Sequence, residues 1–175
     1  VITRPLMPTL VDVGLPVRDV AWRYNARLTD WDANKHATTT MFTSRGCPMR
    51  CAYCETQGIW GRGVRWVPFE TVKREIDEIL ALGFTGIMFY DDIFPLNKPR
   101  TLQMLDVLRY HHQHNGLIWR CFLRTDVLER QGGYDYLRLM REAGLREVLA
   151  GVESASDTIK NNVHKGTTIF QDTQA

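Results

Sequence analysis

Three cysteines, Cys47, Cys51 and Cys54, stand within eight residues of the stretch "SRGCPMRCAYC". Thiolates bind zinc, soft metals and iron–sulfur clusters, and the spacing Cys-x-x-x-Cys-x-x-Cys lets one tight loop wrap a cluster corner by corner. Gly46 permits unusual backbone angles just before the first ligand, and Pro48 stiffens the turn after it. A structural zinc site would show a second Cys-x-x-Cys or a histidine pair at finger spacing, and neither is present. The fourth cysteine, Cys121, lies mid-strand in "WRCFLR". If Arg124 points into the site, period-2 alternation puts residues 120, 122 and 124 on one face and Cys121 on the other, as a small buried hydrophobe. The fourth coordination position is then left open, which is what catalytic metal sites keep and structural ones close.

The elements that must position this loop follow from patterning. Residues 1–34, with Pro5, Pro8, Pro16 and Gly14, form a linker or approach segment with one short helix near 19–26. The remainder, 35–175, forms one domain. "ATTTMFTS" predicts a strand that runs into the cysteine loop. "FETVKREIDEILALG" predicts a helix with Val72, Ile76, Ile79 and Leu80 on one face and its stop at Gly83. Strand "TGIMFYDD", helix "NKPRTLQMLDVLRYHHQHNG", strand "LIWRCFLR", helix "YDYLRLMREAG", strand "REVLAGVES" and a last helix from "SDTIKNNVH" complete the pattern, the last capped by serine or aspartate. Four strand–helix units with apolar strands mean an α/β fold with a parallel sheet covered by helices, either doubly wound or barrel-like. The strands end in the cysteine loop, in Asp91-Asp92, in Arg124-Thr125-Asp126 and in Glu153-Ser154. Because C-terminal strand ends share one rim, these distant groups converge beside the cysteines.

Composition excludes other classes. The chain has 175 residues, 44% hydrophobic and 24% charged, enough for one core and too few for two ordinary domains. Its net charge of +2 comes from 22 basic and 20 acidic residues that are interspersed, giving no electrostatic footprint for nucleic acid or a membrane surface. No apolar run reaches bilayer length, and "VITRPLMPTL" lacks the layout of a secretion signal. Crowded cysteines in a chain that needs no disulfide staples fit a reduced, cytoplasmic setting.

"GCPMRCAYC", with an aromatic directly before the last cysteine, resembles the signature of the radical S-adenosylmethionine (SAM) enzymes. The resemblance extends over about 37–170, where "FYDDIFPLNKPRTLQMLDVL" and "GVESASDTI…HKGTT" are similar to strand regions of the subgroup that often carries an upstream cobalamin-binding domain. It implies a partial (β/α) TIM-like barrel with about four of six βα units. It also implies a 4Fe–4S cluster on Cys47, Cys51 and Cys54, with SAM chelating the remaining iron and cleaved reductively to methionine and a 5′-deoxyadenosyl radical. A flavodoxin- or ferredoxin-like electron donor, and cobalamin in a longer parent protein, are implied partners. By the same resemblance Tyr53 lies near the adenine or simply packs. Asp91 or Asp92 receives the SAM ammonium, a charge-assisted contact, while the other caps the next segment. Glu153 accepts the ribose hydroxyls, and Ser154 assists or caps the following helix. Arg124 pairs with the SAM carboxylate through its planar fork, or bridges to Asp126 or Asp91.

The other conspicuous residues have structural readings. His111, His112 and His114 suit a helix C-terminus. Met88, Met104 and Met140 fall in core runs. Trp60 and Trp66, with Arg62 and Arg65, anchor an exposed loop or form part of a lid. The chain reads as a fragment or excised domain, its reaction after radical formation open. Two further readings stand beside the enzyme: a non-catalytic iron–sulfur or zinc module, and an inactive piece of a larger enzyme.

Overall fold

A computed structural model of the chain describes residues 7–11, 14–18 and 37–175. The strands are β1 (Thr38–Met41), β2 (Ser44–Arg45), β3 (Arg65–Trp66), β4 (Gly86–Phe89), β5 (Ile118–Leu123) and β6 (Leu145–Ala150). The helices are α1 (Thr56–Trp60), α2 (Phe69–Ala81), α3 (Lys98–Asn115), α4 (Thr125–Gln131), α5 (Gly133–Glu142), α6 (Asp157–Asn162) and α7 (Ile169–Gln174), with a 3-10 turn at Phe94–Leu96. The main sheet is parallel in the order β1-β4-β5-β6, and β2 and β3 form a separate antiparallel pair. Each new strand is added beside the previous one in a single direction. A barrel wall winds this way, whereas a doubly wound sheet reverses its order at a switch point. The fold is therefore a partial TIM-like barrel.

The helix expected near 19–26 lies outside the described residues. The described parts of the approach segment rest on the domain: Leu10 joins the core, Arg65 Nη1 donates to the Met7 carbonyl at 3.0 Å, and Arg18 donates to the Thr40 carbonyl and to Glu75. Arg18 and Glu75 are both buried.

The core lies between the sheet and its covering helices. Val72, Ile76 and Ile79 of α2 are fully buried, worth about 2 kcal/mol each in removed apolar surface. Helix α3 begins with Asn97 accepting the Arg100 N–H and closes at Gly116, as the flanking residues predict. Phe89, Phe94 and Trp119 stack at 4.5–5.6 Å between centroids, and Trp119 Nε1 donates to the Ala143 carbonyl at 2.7 Å. The three methionines are buried as expected. On the opposite face of the sheet, Phe42, Tyr90 and Phe122 form a row with centroids 5.9 and 5.8 Å apart. Deeper on that face Arg120 pairs with Glu147 at 3.0 Å.

Two stretches differ from expectation. The first strand stops at Met41, and the chain then bends so that Ser44–Arg45 pairs with Arg65–Trp66. Residues 125–131 are helical rather than part of a loop, which shortens the polar end of β5 to Arg124 alone.

Candidate functional site

The cysteine loop leaves β2 at Gly46, whose φ of 97° is left-handed. A side chain there would also meet the Gly63 carbonyl oxygen at 2.3 Å, so two independent constraints select glycine. Two adjacent carboxylates at the end of β4 hold this loop. Asp91, with no exposed surface, accepts the Thr43 N–H at 2.7 Å and the hydroxyls of Thr43 and Ser44, both at 2.6 Å. Burial pushes its carboxyl up to about 6, against the opposing pull of those three donors. Asp92 accepts the Gly46 N–H at 3.1 Å and the Thr56 hydroxyl at 2.9 Å. Thr56 in turn receives the Cys54 thiol at 3.3 Å.

Cys47, Cys51 and Cys54 are free of disulfides and line a pocket of about 200 Å³. The same pocket is lined by the ends of three strands: Asp92 after β4, Phe122 on β5 and Arg124 just past it, and Leu149, Gly151 and Glu153 on and after β6. Arg124 is fixed by three bonds. Its Nε donates to Asp126 Oδ1 at 2.9 Å, Nη2 to the Lys165 carbonyl at 2.7 Å, and Nη1 reaches Cys51 Sγ at 3.6 Å. Burial works against its charge, but the Asp126 carboxylate outweighs it and holds the guanidinium above its usual range. Partial burial pushes the Cys47 thiol up, with Arg124 working the other way. A second tie fixes the loop from outside: the Ala52 N–H donates to the Val163 carbonyl at 2.8 Å.

Of the residues singled out in the sequence, Tyr53, Asp92, Arg124 and Glu153 are brought together with the cysteines in this pocket. Asp91 and Ser154 do not line it. Asp91 is sealed beneath the loop, and the Ser154 hydroxyl accepts the Ser156 N–H at 3.1 Å while Ser156 itself caps α6. Cys121 is buried on the core face and its thiol is pushed up by that burial. The histidines bond at the end of α3: His112 to the Leu117 carbonyl at 2.8 Å, His114 to that of Tyr110 at 2.7 Å, and His111 to Asn115 Oδ1 at 3.1 Å. The tryptophans sit half-buried beneath arginines, with Arg45 4.9 Å and Arg65 5.9 Å from Trp60 and Arg100 5.2 Å from Trp66, so they anchor the loop.

Sequence reasoning missed Thr56, Gln57, Gly151 and Lys165, which also line the pocket. Thr56 lies two residues after the last cysteine, and Gly151 and Lys165 fall inside the quoted "GVESASDTI…HKGTT", but no role was drawn for any of them. Lys165 reaches the site from beyond α6, a placement fixed by tertiary packing.

The donor set fits an iron–sulfur cube. Three disulfide-free thiols of one loop line the same pocket, and a cube takes one thiolate at each of three irons. Arg124 places a cation beside the added negative charge.

Comparison with known proteins follows this geometry. The chain is 29% identical over 176 residues to an uncharacterized methyltransferase of Pyrococcus horikoshii, covering 98% of this chain and 35% of that protein. It is 28% identical over 137 residues to the hopanoid C-2 methylase of Rhodopseudomonas palustris, covering 77% and 25%. Among solved structures, the radical S-adenosylmethionine methyltransferase TsrM of Kitasatospora setae, with cobalamin and a [4Fe-4S] cluster bound, superposes with a TM-score of 0.66 at 19% identity, over 79% of this chain and 27% of that one. The chain thus spans about a third or less of the length of these relatives. The sequence profile of the Radical SAM superfamily matches residues 41–173, and the chain belongs to that superfamily, whose members use a 4Fe–4S cluster and SAM.

Proposed function

We propose that this chain is the core of a radical SAM enzyme in which Cys47, Cys51 and Cys54 hold the cluster and the strand ends lining the same pocket hold SAM. The observation that supports it best is the pocket itself, lined together by three disulfide-free thiols and by charged strand ends. Cys47, Cys51 and Cys54 would hold the cluster, whose chemistry when bound would be one-electron reduction of the SAM sulfonium, with cleavage of a C–S bond to methionine and a 5′-deoxyadenosyl radical.

The chain's own residues bind and orient. Asp92 presents a carboxylate toward the pocket and is the better placed of the aspartate pair for an ammonium. Glu153 is positioned for a diol, since two carboxylate oxygens can accept from two hydroxyls. Tyr53, 47% exposed at the mouth, offers a ring face to adenine. Three of the five N–H donors of Arg124 bond Asp126, the Lys165 carbonyl and Cys51, which supports a role in tying the end of β5 to the loop and offsetting thiolate charge, with one N–H on each Nη left for a SAM carboxylate. The electron comes from a flavodoxin- or ferredoxin-like donor. The relatives' names support methyl transfer or related radical chemistry, with cobalamin used by a longer parent protein.

The test is anaerobic reconstitution with iron and sulfide. The wild type should take up about four irons per chain, and its electron spin resonance spectrum after reduction should change when SAM is added. Cys47→Ala, Cys51→Ala and Cys54→Ala should each lose most of the iron. One zinc per chain with no sulfide, or a spectrum indifferent to SAM, would favour a non-catalytic metal-binding module and overturn the proposal.

A further inference from the structure

Lys165, the lysine of "HKGTT", lies outside the cysteine signature and was given no role, yet it occupies an unusual position. The chain leaves α6 through His164, whose φ is 53°, and turns the Lys165 side chain back into the cluster pocket. The residue is 5% exposed, and its ammonium lies 3.3 Å from Glu153 Oε1, on a side chain that is 42% exposed. Glu153 itself has φ 65°, a left-handed conformation that costs a non-glycine residue free energy. Gly151 makes room for the pair: a Cβ at 151 would come within 2.7 Å of Glu153 Oε1 and 3.0 Å of Lys165 Nζ.

Stability alone does not account for this arrangement. Burying an ammonium is unfavourable, and a carboxylate with access to water gains little from one partner. A strained backbone at 153 adds to the cost. The arrangement makes sense if its product is the direction of the Glu153 carboxylate. The segment around Lys165 is also anchored to the loop side of the pocket, through the Ala52 N–H to the Val163 carbonyl and Arg124 Nη2 to the Lys165 carbonyl. The ammonium therefore holds Glu153 at a fixed offset from the cysteines.

We propose that Lys165 is a positioning residue of the cofactor pocket, which holds the Glu153 carboxylate against the strain at its own backbone in the orientation that receives the ribose diol of SAM. The inference rests on the reading of Glu153 as the ribose-binding group. A ligand-contact role for Glu153 and a positioning role for Lys165 predict coupled losses, whereas two independent contacts predict losses that multiply.

The experiment uses the chain reconstituted with iron and sulfide, with SAM as the probe. Iron and sulfide content, the dissociation constant for SAM by equilibrium dialysis, and the SAM-induced change in the spin resonance spectrum are measured for four variants. Lys165→Met should weaken SAM binding about tenfold, the loss of a charge-assisted contact's worth of alignment, with iron content unchanged. Lys165→Arg should recover most of that loss. Glu153→Ala should weaken binding to a similar degree, and the double variant should bind about as well as Glu153→Ala alone. Three outcomes overturn the positioning role: unchanged affinity in Lys165→Met, iron lost in parallel with affinity, or multiplied losses in the double variant. A loss in Lys165→Met with none in Glu153→Ala also overturns it and removes Glu153 from the ribose site. Failure of the cluster-loaded wild type to bind SAM would instead strike the proposed function on which the inference rests.

Discussion

Asp91→Asn should change the stability of the chain in a way that reverses with pH. Burial raises the Asp91 carboxyl from 3.8 to about 6, more than its three donors lower it. The unfolded chain therefore releases this proton first, and between about pH 4 and pH 6 the native state binds more protons than the unfolded one. Stability from this group is present below the unfolded value and is lost as pH rises through the folded one. A shift of about two units corresponds to roughly 3 kcal/mol. Asparagine cannot ionise and escapes that loss. It keeps one oxygen for the Thr43 N–H, and its amide can donate to the Thr43 and Ser44 hydroxyls, which can accept as well as donate. The exchange of hydrogen bonds costs about 1 kcal/mol. The variant should be slightly less stable than wild type near pH 4 and more stable by about 2 kcal/mol above neutrality. Urea unfolding of the iron-free chain at a series of pH values reads the difference directly, because the other carboxylates titrate alike in both proteins and cancel. A stability difference that stays constant across this range would refute the assignment of burial as the dominant influence on Asp91.

Other perturbations probe the loop and the odd cysteine. Gly46→Ala should destabilise the iron-free chain by about 2 kcal/mol, from left-handed strain and the close approach to Gly63. Chemical denaturation measures that loss, and iron analysis should show reconstitution reduced to less than about half, since a displaced loop misplaces its ligands. Cys121→Ala should cost about 1 kcal/mol in the same unfolding assay, while iron and sulfide per chain stay at the wild-type level, because Cys121 lies in the core and not in the pocket.

The cysteine motif and the strand–helix alternation were legible in the chain because each depends on local spacing. Strand ends sharing one rim then followed from topology, which is why Asp92, Arg124 and Glu153 could be nominated before any coordinates. The split of duties between Asp91 and Asp92 was not legible. Both lie just past the end of β4, and which one is sealed depends on Thr43 and Ser44, which arrive from a segment more than forty residues earlier in the chain. The role of Lys165, inside the quoted "HKGTT", was hidden for the same reason. Helix α7 carried a readable signal that went unused, since Thr168 and Gln171 form a reciprocal capping box. Helix α4 did not: its start at Thr125 was masked by reading residues 124–126 as one polar strand end.

The paired carboxylates at the end of β4 make the cysteine loop's placement a property of the sheet. One secures the loop's entry from below and the other grips its first turn and the helix beyond. The loop is thereby registered against the barrel wall at two successive points, so a shift in where β4 ends would be carried to thiols that neither carboxylate touches.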